Sequence, residues 1–331
     1  MPMPASARPE SGASGLSRII DAAPLVIFLG MLIYIGFNAP NFMSFGTMQL
    51  VLNQSVPVVV VCLGLSIVVM AGGDDVVSGG IDLSIPATAV ICAGIIAQLV
   101  TNTDTPLLLA IALALGAAMF IGIVAGLMVT RLGMTPLLTT LALFVAVVGV
   151  TKVVTSSRRI NVDDPFIIFL RDGEILGISA GVVITLALVL VFYHFIHRTK
   201  WGLNLQAVGG SCEAAEISGL KPGHFLFWAF VIAAFTGFLA SFFLLARGSG
   251  SSPGTENNLM LEMVLATFLG AAFSPRRVVT LWGAVLGAVL VAALSIGFKT
   301  MGVNVFWTGL IKGSLILVVL ALAALSSRVK S

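Results

Sequence analysis

Residues 106–130 read Pro-Leu-Leu-Leu-Ala-Ile-Ala-Leu-Ala-Leu-Gly-Ala-Ala-Met-Phe-Ile-Gly-Ile-Val-Ala-Gly-Leu-Met-Val-Thr, twenty-five residues without a charged side chain. As an α-helix this run would be roughly 37 Å long, at a rise of about 1.5 Å per residue. The hydrocarbon core of a bilayer is about 30 Å thick, which roughly 20 apolar residues span. Nine further runs satisfy or approach that length, at about 19–38, 48–70, 83–101, 135–154, 178–197, 224–246, 259–275, 278–298 and 304–326. The weakest is 259–275, which is short and contains Glu262. Ser274-Pro275-Arg276-Arg277 separates it from its neighbour. The reading is an all-α membrane protein, a polytopic bundle of about ten transmembrane helices.

Composition points the same way. Of the 331 residues 58% are hydrophobic and 9% charged, where a soluble chain usually carries about 25% charged residues. So few charges cannot coat a water-facing surface. A net charge of +3 spread thinly gives no basis for nucleic-acid binding. Cys62 and Cys92 fall in apolar runs and Cys212 in a polar loop, without metal spacing or a disulfide framework. No G-x-x-x-x-G-K-[ST] occurs, so the sequence offers no Walker loop for ATP. Residues 1–18, rich in Pro, Ala, Ser and Gly, read as a disordered cytoplasmic tail rather than a secretory signal, and 19–327 as a single transmembrane domain.

An even number of crossings puts both termini on one side. With that side cytoplasmic, Arg131, Arg198, Lys200, Lys221, Arg276 and Arg277 lie inside, together with the basic residues near both termini. Lys152, Arg158, Arg159, Arg171, Arg247 and Lys299 lie outside or near the outer ends. The bias follows the positive-inside rule. Two connections are long, 155–177 outside and 198–223 inside. Small residues recur four apart at Gly122 and Gly126, at Gly283 and Gly287, and at Ala233, Gly237 and Ser241. Such ridges let helix backbones approach closely in lipid, with a pore-lining or homodimer role as the alternative.

Three segments carry most of the functional information. In Ser78-Gly79-Gly80-Ile81-Asp82-Leu83-Ser84, Asp82 and Ser84 stand at the head of an apolar run and look like helix caps. Asp74 and Asp75, just before it, must reach water or a partner. In the inner connection, residues 211–217 form one short helix ended by Gly219, placed to dock a soluble partner. Glu262 and Lys312 each put a charge inside an apolar run, near the outer ends of their helices. A structural ion pair is favoured over a substrate ligand.

At these segments the chain resembles the transmembrane permease subunit of bacterial ABC importers for monosaccharides, the ribose type. The resemblance is carried by Gly79, Gly80, Ile81, Asp82, Leu83 and Ser84, and then by Trp201, Gly202, Gly209, Gly210, Glu213, Ala214, Ala215 and Gly219 in what looks like the coupling loop, about 198–223. It ends at Glu262–Gly270 and Lys312-Gly313 and covers about residues 25–325. Three stretches depart from the family pattern: the inserted Ala71–Val77, Ile85-Pro86-Ala87, and Ser274-Pro275-Arg276-Arg277. The resemblance implies a multi-pass protein of the bacterial inner membrane, paired with a second permease copy or paralogue. It also implies a cytoplasmic ATP-binding subunit that binds the ATP, a periplasmic sugar-binding protein, and no cofactor or catalytic site in this chain. The alternative is an ion-coupled secondary transporter of a small polar solute. That would need coupling groups at mid-membrane, with Asp82 the leading candidate.

Overall fold

The computed structural model describes residues 13–73, 80–274 and 278–330. Each of the ten apolar runs coincides with one helix: α1 (Ala13–Asn38), α2 (Phe45–Gly72), α3 (Ile85–Asn102), α4 (Leu107–Thr130), α5 (Pro136–Val154), α7 (Ala180–Arg198), α10 (Pro222–Gly248), α11 (Glu256–Ala271), α12 (Leu281–Thr300) and α13 (Val305–Lys330). Seven of these, α2, α3, α4, α5, α7, α10 and α12, are long and apolar enough among the described residues to cross a membrane. The cytoplasmic tail expected at 1–18 is described only from Ala13, where α1 begins; its first twelve residues lie outside the described residues.

The bundle is organised around α2 and α10. α2 is buried along most of its length and packs against α10, α12, α11 and α7. α10 packs in addition on α3 and α4. The small-residue ridges explain these contacts. A Cβ added at Gly64 would strike Ala233 and Thr236 of α10, and one at Gly122 would strike Ala234 and Val231. Gly283 and Gly287 of α12 lie against the backbone of Gly270 and Ala266 of α11. In lipid, where apolar burial does not drive helices together, such contact surface holds the bundle by dispersion. The packing role expected of these ridges is therefore observed.

Most caps follow from local sequence. The Ser44 hydroxyl accepts the Thr47 amide at 3.2 Å and starts α2. Pro86, Pro136 and Pro222 stand in the first turns of α3, α5 and α10, where their missing N–H costs nothing. α3 and α11, with 18 and 16 residues, are shorter than α2 and α10, with 28 and 27.

At one end of the bundle the α5–α7 connection is ordered. It contains β1 (Ile160–Asn161), α6 (Pro165–Asp172), β2 (Glu174–Ile175) and β3 (Ile178–Ser179). β1 pairs antiparallel with β4 (Gly250–Ser251), in the register Ile160↔Ser251. Ser249, in the left-handed region at φ 52°, turns the chain from α10 into β4. Arg159 donates to the Gly248 carbonyl at 2.6 Å, and Arg171 to the Ser249 hydroxyl at 2.9 Å. Arg171 also grips Asp172 at 2.7 Å, which holds that carboxyl below the usual carboxylate range. At the opposite end lie α8 (Lys200–Gly210) and α9 (Cys212–Ile217). The expected short helix at 211–217 is α9, and Gly219 ends it at φ 83°. The preceding stretch, read from sequence as loop, is helical instead. Thr199 caps it by accepting the Gly202 amide at 3.2 Å.

Candidate functional site

Gly79, Asp74 and Asp75 lie outside the described residues. From Gly80 onward the segment before α3 is non-helical and buried, with Asp82 and Ser84 each 1% exposed. Gly80 presses on the Val68 carbonyl of α2, a contact that leaves no room for a Cβ. Irregular backbone inside a membrane bundle needs hydrogen-bond partners from protein. Here Thr140 of α5 supplies them, accepting the Leu83 amide at 3.1 Å and lying 3.3 Å from the Ile81 carbonyl. The capping expected of Ser84 is not what forms. Ser84 is the N-cap of α3 but makes no side-chain cap hydrogen bond. Instead its hydroxyl and amide both donate to Asp82 Oδ1, at 2.6 and 2.8 Å. Asp82 is thus a latch on the chain before the helix. Its Oδ2 is buried without a hydrogen-bond partner.

The α8–α9 hairpin is built to sit on the end of α2. Gly209 of α8 meets the Met70 carbonyl directly, and Gly73 faces the Gly209 carbonyl. Gly202 is buried against the Ile196 backbone of α7. Trp201 stacks on Phe195 with ring centroids 5.0 Å apart and reaches Phe225 of α10 at 6.0 Å. Gln206 donates to the Ile196 carbonyl at 2.9 Å. Trp201, Gly202 and Gly209 therefore form the seat, while a Cβ at Gly210 would meet open space. In α9, Ser211 accepts the Ala214 amide at 3.2 Å and Ala215 is buried. Glu213, Ala214 and Ile217 face solvent, Ile217 at 83%. The Leu220 amide returns to the Ala215 carbonyl at 3.0 Å, and the Gly219 amide to Glu216 at 2.9 Å. A helix end closed this way holds its shape without a partner.

Glu262 and Lys312 come together. Lys312 Nζ lies 2.6 Å from Glu262 Oε1, with the two side chains 9% and 10% exposed. Ser295 of α12 stands at 3.5 Å from the same oxygen. The pair joins α11 to α13 across α12. Thr267, one helical turn and a residue further along α11, is buried. Nearby, the Cys62 thiol of α2 contacts the Met263 carbonyl at 3.6 Å. Cys62 and Cys92, which fall in apolar runs of the sequence, are buried, while Cys212 is exposed. The Gly80–Ser84 latch and the hairpin are both tied to the Val68–Gly73 end of α2; the ion pair forms a separate group.

Sequence reasoning did not foresee the small structure made by β1, α6 and β4 at the end of the bundle opposite α8 and α9. Its signal was present: Asp164 followed by Pro165 is a capped helix start, and the Asp164 carboxylate accepts the Phe166 amide at 2.8 Å. Phe166, Ile168 and Phe169 on α6 and Leu176 after it remain exposed.

Comparison with known proteins agrees with this architecture. Residues 47–320 match the family described as branched-chain amino acid transport system / permease component. A fructose import permease of Rhizobium meliloti is 27% identical, with 91% of this chain and 84% of the relative covered. The galactose/methyl galactoside import permease of Escherichia coli is 27% identical, with 94% and 96% covered. The ribose import permease of Escherichia coli is 25% identical, with 90% and 92% covered. No solved structure matches. With the match running from the start of α2 into α13, the chain belongs to this family of membrane transport permease components.

Proposed function

We propose that the chain is the transmembrane subunit of an ATP-driven importer that carries a monosaccharide across the bacterial inner membrane. The family description is broad, and the sugar reading rests on relatives matched over nearly their whole length and named for fructose, galactose and ribose. The structural observation that supports it is the α8–α9 hairpin. A rigid two-helix element is seated on α2 through Gly209 and presents an exposed face on the other side. α2 in turn packs against α10, α11 and α12. A push on α9 from a cytoplasmic ATP-binding subunit thus reaches the bundle interior through packed backbone rather than flexible side chains.

On this reading the α8–α9 end is cytoplasmic, as are both termini. The end bearing β1, α6 and β4 receives a periplasmic sugar-binding protein. Two permease copies, or this chain and a paralogue, enclose the path. ATP is bound by the partner subunit, and this chain carries no cofactor or catalytic group. Specificity resides chiefly in the binding protein, so the permease requires few polar side chains along the path.

The test is uptake of labelled D-ribose, D-galactose and D-fructose, with L-leucine alongside, by cells expressing the chain with its neighbouring ATPase and binding protein. Uptake of one sugar should persist when the proton gradient is collapsed at constant ATP. It should stop when the ATPase is inactivated. Loss of uptake on uncoupling at constant ATP would replace the importer with a secondary transporter.

A further inference from the structure

α4 has two unlike faces. Ala110, Ala114, Ala118, Gly122, Ala125 and Gly126 are buried, and α4 packs against α10 and α3. The other face carries Leu109, Leu113, Phe120, Ile123 and Leu127, between 39% and 69% exposed. Their spacing of three, four and seven keeps them on one stripe of the helix. A stripe of large apolar side chains on the outside of a membrane bundle faces acyl chains. Arg131 follows four residues after Leu127 and therefore ends the same stripe.

At that point the surface opens into a cleft of about 690 Å³ between the end of α4 and the start of α10. Arg131 lines it from α4, and Lys221 and His224 line it from the start of α10. Leu127 and Trp228 form its apolar wall, and Glu216 is its one carboxylate. Two cations thus stand against one anion, and among the described residues neither Arg131 nor Lys221 is in an ion pair. Lys221 is the N-cap of α10 and provides no side-chain cap. The first amides of a 27-residue helix add their own positive potential at the cleft. His224 is held edge-on to Trp228, with ring centroids 6.4 Å apart. Those side chains combine a cationic floor with an aromatic rim, at the end of the bundle that carries α8 and α9.

We propose that this cleft binds the phosphate headgroup of an anionic phospholipid, with an acyl chain lying along Leu127, Ile123 and Phe120. The geometry suits a lipid over a soluble anion because the basic cleft runs without a break into the apolar stripe. From Phe120 to Arg131 the helix rises roughly 16 Å, close to the ~15 Å thickness of one hydrocarbon leaflet. The charge suits an anionic lipid over a zwitterionic one. A choline headgroup would bring its own cation towards Arg131 and Lys221, whereas a glycerol or second phosphate headgroup would not. Basic pockets between helices at the cytoplasmic boundary are the usual form of such recognition. Occupancy would brace the junction of α9 and α10, because Glu216 and Lys221 both line the cleft. The site depends on surface chemistry alone and stands whatever solute is carried.

The experiment uses the purified full chain in phosphatidylcholine nanodiscs, alone or doped with phosphatidylglycerol. Lipid retained through exchange into detergent is measured by mass spectrometry, and thermal unfolding is followed in parallel. Phosphatidylglycerol should be enriched over its bulk fraction and should raise the unfolding temperature, while inorganic phosphate does neither. Each basic charge near a membrane surface is worth a factor of roughly five in affinity. Arg131→Gln and Lys221→Gln should therefore each lower phosphatidylglycerol retention about fivefold, and the double variant about twenty-fivefold. Lys152→Gln, a basic substitution at the other end of the bundle, should leave retention unchanged. Both cleft positions are exposed, so the variants should fold as the parent does. Equal retention by parent and double variant would overturn the site. So would equal stabilisation by phosphatidylcholine, or displacement of the lipid by inorganic phosphate, which would make it a soluble-anion site. Protection of the stripe by a second copy of the chain, with no lipid dependence, would also overturn it.

Discussion

Glu262 and Lys312 are charged groups that the bundle interior holds only because they hold each other. An isolated charge at mid-bilayer costs about 2.5–3.5 kcal/mol on insertion scales. Glu262 sits in the middle of α11 rather than near its end, because that helix starts at Glu256, and Lys312 lies in the first third of α13, so neither is spared that cost by position alone. Removing one partner leaves the other buried and uncompensated, a larger penalty than removing both. Glu262→Gln and Lys312→Met should each reduce the yield of monodisperse subunit, and the double substitution should recover part of the loss. Additive losses would show that the 2.6 Å contact carries no coupling energy. Intact folding with lost uptake in either single variant would move the pair from structure to translocation. At the end of the bundle that carries α6, Arg171 and Asp172 are both exposed, so their contact is worth little. Because Asp172 is held below its ordinary range, whatever it contributes is present near neutral pH and lost as pH falls into the acid range.

Among the elements, α8 shows how two adjacent glycines can have unequal roles. Gly209 lies against the Met70 carbonyl, whereas a Cβ at Gly210 would meet nothing within 4 Å. Gly209→Val should force α8 away from α2, abolishing uptake and lowering co-purification of the ATP-binding subunit while membrane insertion persists. Gly210→Val should leave both close to the parent level, with only the helix-propensity change of a few tenths of a kcal/mol. Equal effects at the two positions, measured by pull-down and uptake, would remove α8 as the coupling seat. Sequence alone shows both glycines but not which one touches α2, because that contact joins segments far apart in the chain. The apolar runs were legible, since bilayer length and composition are local properties. The Glu262–Lys312 pairing was legible because opposite charges inside apolar helices have few other places to go. The latch at Asp82 was not, since whether a serine caps its helix or donates to a neighbouring carboxylate is decided by the backbone around it. Nor was the helicity of α8, whose polar residues Lys200, Asn204 and Gln206 hide an element that packs by its glycines and Trp201 rather than by an apolar stripe.

For the whole molecule, the structure separates two ends, and one native side chain distinguishes them. Cys212 is exposed at the head of α9, while Cys62 and Cys92 are buried inside the bundle. A membrane-impermeant maleimide should therefore report on Cys212 alone. In intact spheroplasts the proposed orientation predicts no labelling, and in inverted vesicles it predicts full labelling. Cys212→Ser combined with Asp163→Cys moves the thiol to the opposite end of the bundle, beside the start of α6. The same two preparations should then give the reverse pattern. The expectation rests on the basic residues Arg131, Arg198, Lys200 and Lys221 gathering at the α8–α9 end, the side that basic loops prefer. Labelling of Cys212 from outside would invert the molecule. It would also place α9 out of reach of a cytoplasmic ATPase, and the hairpin would then have to be an external docking element. Because Asp163 lies on an ordered connection tied to β4 through Ile160 and Asn161, agreement between the two probes also tests the fold itself. Should both positions label from the same side, the antiparallel path of α7 between them could not stand.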